Sequence, residues 1–229
     1  MAGSRVWVLV ASTAVLVACG GDEEPAGIPD SSVPDALPGT PGEVEEALLT
    51  TDDLGEEWVD LGAVPLDERG FAECPETGVI TGGTDPARLG EAQSLYGQGD
   101  PPVPMFGVSV SLWESPDVAR ERLAALASIP SECRSFDHEL PDGGTATVTI
   151  TERDAPALGD EAIAHVVEFD LPEGPTILRD LLTVRIGDAL VLTDGPDVAE
   201  GDPELDRQRR RFDDLTGRAV DKATRILSN

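Results

Sequence analysis

Between Val103 and Trp113 the chain alternates. Phe106, Val108, Val110 and Leu112 stand against Gly107, Ser109, Ser111 and Trp113. A period of two marks a half-buried strand, because successive side chains leave opposite faces. Ser115-Pro116-Asp117 then offers an N-cap and a proline at the first helical position. Ala119, Leu123, Leu126 and Ala127 fall on one side of the helix that follows, and Pro130 is expected to end it. After a turn at Asp142-Gly143-Gly144, Ala146, Val148 and Ile150 alternate with Thr145, Thr147, Thr149 and Thr151. The run from Ala162 to Leu171 is apolar on both faces near its middle, which places it inside a sheet. The runs Ile177 to Ile186 and Ala189 to Leu192 flank Gly187-Asp188, a two-residue loop suited to a tight hairpin. Asp202-Pro203 opens a long helix whose Leu205, Phe212, Leu215, Ala219, Ala223 and Ile226 form one stripe.

Upstream, the spacing predicts a short amphipathic helix from Glu43 to Leu49 and cap and turn residues from Thr50 to Gly55; Ala87 to Tyr96 reads as a strand, with a helix as the alternative. From Val59 to Gly83 no period emerges. Strands in series, with one helix inserted mid-chain and a long one at the C-terminus, predict a two-layer α+β fold. Its sheet should be mostly antiparallel and twisted, with about 5–6 strands.

The N-terminus follows a different rule. Val6 to Val17 is an uncharged, mostly apolar run of 12 residues behind Arg5. That is short of the roughly 20 residues a spanning helix needs, and it suits a removed export signal. Leu16-Val17-Ala18-Cys19 resembles the bacterial lipobox. The resemblance implies that residues 1–18 are a lipoprotein signal peptide and that Cys19 carries a diacylglyceryl group holding the chain to the outer face of the cell membrane. Two acyl chains hold where one barely does. The alternative is a plain secretory signal in which Cys19 is incidental. Beyond the lipidated Cys, the linker that runs to residue 42 is acidic, without a basic residue, and broken by Pro25, Pro29, Pro34, Pro38 and Pro41. Such a composition has no core to bury and stays extended. Residues 43–229 then form a single extracytoplasmic domain.

A net charge of −29 makes nucleic acid and anionic lipid poor partners. Lys222 is the only lysine. The arginine bias and the acidity fit a GC-rich genome or a salt-adapted organism equally. With Cys19 acylated, Cys74 and Cys133 remain as an even pair in an oxidising compartment, which predicts a structural disulfide. A free reactive pair is the alternative.

Leu48-Leu49-Thr50-Thr51-Asp52-Asp53-Leu54-Gly55-Glu56-Glu57-Trp58 resembles the opening of actinobacterial PknH-like extracellular, sensor-like domains. So do the strand Val108 to Trp113 leading into an Ala-rich helix and Cys133, and the hairpin Val184-Arg185-Ile186-Gly187-Asp188-Ala189-Leu190-Val191. In that family the domain stands outside the membrane on Ser/Thr kinases and also occurs on free lipoproteins. Kinase-attached members carry two disulfides where this domain has cysteines for one. They also often place a Trp before the second helix's Cys, where this chain has Ile129-Pro130-Ser131-Glu132. No family binding residue transfers.

Candidate chemistry is sparse. His165 shares a strand face with Ile163, Val167 and Phe169, as a packed, hydrogen-bonded histidine would, and His138 falls in a polar loop. There is no HExxH, CxxC, GxSxG elbow or phosphate loop; Gly78 to Thr84 reads as a turn. Asp52-Asp53 and Glu56-Glu57 suit a cation or, more simply, a helix end. Arg207, Arg209, Arg210 and Arg211 form either a docking patch or a solvated face paired with neighbouring acids. Ser109, Ser111, Trp113, Thr147 and Thr149, together with Thr145, Thr151 and Thr183, are expected on the sheet face opposite the helices. There they line a sugar or peptide cleft or simply meet solvent. No cofactor or metal is called for. The pattern favours a non-catalytic surface module that binds a small ligand, a wall component or an envelope protein. An envelope hydrolase with a carboxylate acid/base pair and a structural or adhesive domain are the alternatives.

Overall fold

In the computed structural model, residues 41–63, 71, 73–75, 85–140, 144–172, 174–196, 198–199, 201 and 203–227 are described. Residues 1–40, with the signal, Cys19 and all of the linker but its last two residues, lie outside them, as do the glycine-rich turn and Asp142-Gly143; Pro41 and Gly42 of the expected linker begin the first helix. The elements are α1 (Pro41–Ala47), α2 (Thr51–Leu54), β1 (Trp58–Gly62), β2 (Arg88–Gln98), β3 (Val103–Trp113), α3 (Pro116–Glu132) and β4 (Ser135–Glu139). They continue with β5 (Thr145–Arg153), β6 (Glu161–Asp170), β7 (Ile177–Ile186), β8 (Ala189–Asp194), β9 (Val198–Ala199) and α4 (Leu205–Leu227).

The fold is α+β, with an open antiparallel sheet in the order β1-β2-β3-β8-β7-β6-β5-β4 and β9 beside β7. Among the described residues the sheet has nine strands rather than five or six. β1, β4 and β9 are the additions, and each is short. β4 and β1 are edge strands, so partners rather than an apolar period define them. His138 consequently sits on β4, opposite Ala146, and not in a loop.

Register sorts the side chains. Phe106, Val108, Val110 and Leu112 of β3 share one face with Leu182, Val184 and Val191, and α1 and α4 pack there through Val44, Ala47, Phe212, Leu215, Ala219, Val220 and Ala223. Each fully buried aliphatic or aromatic side chain of that stripe contributes about 1.5–3 kcal/mol. The other face of the same strands carries Trp113 and Leu190, and α3 covers them with Ala119 and Leu123. Farther along, α3 sets Leu126 and Ile129 on Val148, Ile150 and Val167. Helices therefore lie on both faces of the sheet, α3 crossing one and α1 with α4 the other.

Ser115 accepts from the Val118 N–H at the start of α3, as its sequence predicts. Pro130 does not end the helix, which runs to Glu132. The proline falls in the last turn, where few bonds remain to be lost, and the Cys133 N–H still donates to the Ile129 carbonyl at 2.8 Å. Cys133 is bridged to Cys74. The bridge and a Phe71 ring 5.1 Å from Phe136 hold the segment around Cys74 against β4 and the end of α3.

At the β7–β8 hairpin, Gly187 takes φ 59°, a left-handed conformation that disfavours other residues. Asp160 Oδ2 accepts from the Gly187 N–H at 2.7 Å and from Arg185 at 3.1 Å, fixing the turn. Behind the α4 face, Asp180 stands between Arg153 (2.9 Å) and Arg209 (3.0 Å), and Arg153 also reaches Asp213 at 2.8 Å. Those pairs link β5, β7 and α4.

Candidate functional site

The hydroxyl-bearing residues do not form one surface. Ser109, Ser111, Thr183 and Trp113 stand on the α3 face, whereas Thr147 and Thr149 point to the opposite side of the sheet, where α4 lies. The reason is parity: β5 pairs with β6, and β6 with β7, so that the threonines align with Ala164 and Val166, not with Ile163 and His165. Trp113 is buried, its indole N–H donates to Ser111 at 3.1 Å, and Arg122 stacks over its ring. Ser109 donates to Glu91 at 3.1 Å. It lines a shallow hollow of about 360 Å³ with Gln93, Leu95, Gly107, Leu192 and Asp194. Thr147 donates to Asp137 and Thr149 to Ser135 across the outer strand pair. The five residues thus divide into a packed indole–hydroxyl pair, one hollow-lining serine and a solvent-facing threonine row.

A roomier concavity lies elsewhere. A groove of about 1040 Å³, open to solvent, runs between the end of α1, the end of β1 and the outer edge of β2. Glu45, Leu48, Leu49 and Thr50 form one wall; Asp60, Gly62 and Ala63 form the other. Glu91, Ala92, Gln93, Ser94 and Tyr96 form the base. Four consecutive strand residues line it although their side chains alternate between faces, so the groove follows the strand's edge.

Among the described residues, local sequence explains why that edge is uncovered. β1 covers β2 only from Leu95 to Gln98, with an irregular register between Asp60 and Gly62. Gly62 takes φ 80°, while Asp60 Oδ1 accepts from the Gly62 N–H at 2.8 Å and from the Ser94 hydroxyl at 2.6 Å. Among the described residues no strand continues where β1 stops. On the far wall, the Thr50 N–H and hydroxyl both donate to Asp53, whose Oδ2 also receives Lys222 at 2.6 Å. Burial raises the Asp53 pKa, but the ammonium of Lys222 and the Thr50 donors outweigh it and hold the carboxyl below its usual range. The Tyr96 hydroxyl donates to the Leu49 carbonyl, and burial pushes the phenol's pKa up.

The remaining candidates are accounted for one by one. His165 is buried and Nε2 has no hydrogen-bond partner among the described residues, contrary to the expectation of a bonded histidine; burial lowers its pKa. His138 Nδ1 lies 3.4 Å from Glu73. Neither histidine is hydrogen-bonded to a hydroxyl or thiol among the described residues. Arg207 pairs with Glu204, Arg209 with Asp180, and Arg211 stacks 5.1 Å over Trp58, so three of the four arginines have separate structural partners. Among the described residues no cluster of His, Cys, Asp and Glu is placed to hold a metal ion, and no helix is long and apolar enough to cross a membrane.

No family model and no curated protein matches this chain. Among solved structures, it is similar to the crystal structure of the extracellular domain of PknH from Mycobacterium tuberculosis. The TM-score is 0.55 at 13% identity, over 82% of this chain and 98% of that one. The likeness shows the fold. It agrees with the PknH-like resemblance drawn from the sequence, and at that identity it carries no residue across.

The groove is absent from the sequence expectations. It arises from a mismatch of strand lengths, five residues in β1 against eleven in β2, and no period in the chain encodes it. The available signals were small: Tyr96 as the only tyrosine, and Gly62 closing a short run after Trp58.

Proposed function

We propose that this chain is a non-catalytic lipoprotein of the cell envelope. In this reading it is cut before Cys19 and held by acylated Cys19 to the outer face of the membrane. Its α+β domain binds a ligand or partner in the groove between α1 and β2. The groove itself carries the binding half: it is the roomiest of the concavities described above, it is open, and polar groups frame it. The lipobox pattern supports the anchor, and the shared fold with an extracellular domain suits the setting. The hydrolase alternative calls for a carboxylate acid/base pair; Asp188, whose carboxyl burial holds above its usual range, does not line the groove, so no geometric observation there favours that alternative.

Photo-crosslinking of the full chain in cells tests this. A crosslinking residue at Ala63, in the groove, should give a defined adduct, and one at Asp170, exposed on β6, should give none. Equal labelling from both, or none from Ala63, overturns the groove assignment. Cys19→Ser should move the protein from the membrane to the soluble fraction; unchanged partitioning overturns the anchor.

A further inference from the structure

We propose that the groove takes an extended, arginine- or lysine-bearing segment of another envelope protein, which adds to β2 as an edge strand. The proposal rests on the groove being the binding site and names the chemistry of its occupant. Three observations meet there. The first is backbone. From Leu89 to Ser94, no described strand pairs with β2 on the side away from β3, so alternate residues direct N–H and C=O groups outward. An extended chain satisfies such a row with main-chain hydrogen bonds. The second is space. The groove lies along Glu91 to Ser94 themselves, and Leu48, Leu49 and Ala92 give alternate side chains of the incoming strand an apolar wall. The third is charge. Glu45, Asp60 and Glu91 line the groove, and among the described residues no basic side chain does. Glu91 is already held by Arg88, whereas the Glu45 carboxylate has no ion-pair partner among the described residues. A cationic side chain beside Glu45 and Asp60 therefore meets a complementary field, and it comes from outside a chain whose net charge is −29.

The test uses the full chain and a capped peptide alternating Arg and Val. Its controls are the same peptide with alternate amides N-methylated and a Glu–Val counterpart. Binding is read by fluorescence anisotropy, and amide hydrogen exchange locates it. The Arg–Val peptide should slow exchange within Leu89 to Ser94, the N-methylated peptide should bind about tenfold more weakly or worse, and the Glu–Val peptide should not bind. Glu45→Gln should weaken binding several-fold without changing thermal stability. Equal affinity for the N-methylated peptide overturns the proposal, since general attraction to an anionic protein then suffices. Protection of the edge in the free chain also overturns it: at low concentration because the chain's own residues fill the groove, or rising with concentration because a second copy does. If Ala63 crosslinks to a non-peptide ligand and the peptide gives no protection, this inference falls and the groove assignment stands. If Ala63 gives no adduct, both fall.

Discussion

The Tyr96 hydroxyl donates to the Leu49 carbonyl, joining β2 to the turn between α1 and α2 beneath the groove. Tyr96 is 1% exposed, so the carbonyl has no water to replace a lost donor. Tyr96→Phe should therefore cost about 1–2 kcal/mol of unfolding free energy, measured in urea. Because Tyr96 is the only tyrosine, phenolate absorbance reports it alone. Burial first, and then the charges of Asp60 and Asp53, raise its pKa above 10.0. The folded state thus holds the proton more tightly than the unfolded state. The resulting stability is present below about pH 10 and is lost as pH rises through the higher folded value.

His165 works in the opposite direction. Its imidazole is buried with Nε2 unpartnered among the described residues, and burial lowers its pKa below 6.5, partly offset by Glu152. The folded state binds the proton less readily, so stability should fall as pH drops below about 6.5. His165→Leu should flatten that part of the pH–stability curve and leave the protein at least as stable at neutral pH. An unchanged acid slope would place the sensitivity elsewhere.

Much of this architecture is legible in the chain because burial has a period. β3, β5 and β7 with their hairpin, and the α4 stripe through Phe212, Leu215, Ala219 and Ala223, follow from alternation or helical spacing, although Leu227 and not the expected Ile226 is the buried residue at its end. What is not legible depends on relations between elements. Trp113 and Thr147 both look like outward residues of strands, yet the strand order β3-β8-β7-β6-β5 and its register put them on opposite faces. β4 escaped notice because Ser135, Asp137 and Glu139 of its five residues are polar and only Phe136 and His138 turn toward the Cys74 segment. Local sequence cannot report pairing of that kind.

The Cys74–Cys133 bridge closes a loop with a sequence separation of 59. In the chain-entropy model, removing it should cost up to about 4 kcal/mol. Cys74→Ser with Cys133→Ser should lower the urea midpoint, and the loss should match that of the wild type under reductant. A loss confined to the double variant would indicate damage from packing, not from the missing link.

Asp180 stands between two guanidinium groups, with its side chain 9% exposed. Asp180→Asn leaves Arg153 and Arg209 without that charge between them and should cost about 3–5 kcal/mol. Replacing Arg209 as well, with Met, should recover part of the loss, which a double-mutant cycle measures.

The most direct measurement is amide hydrogen exchange on the full chain, free and mixed with envelope extract. If the groove is the binding site, the extract should slow exchange at Glu91 to Ser94 and at Leu48 to Thr50 while leaving Thr145 to Thr151 unchanged. Protection that appears only along the threonine row, or nowhere, contradicts it.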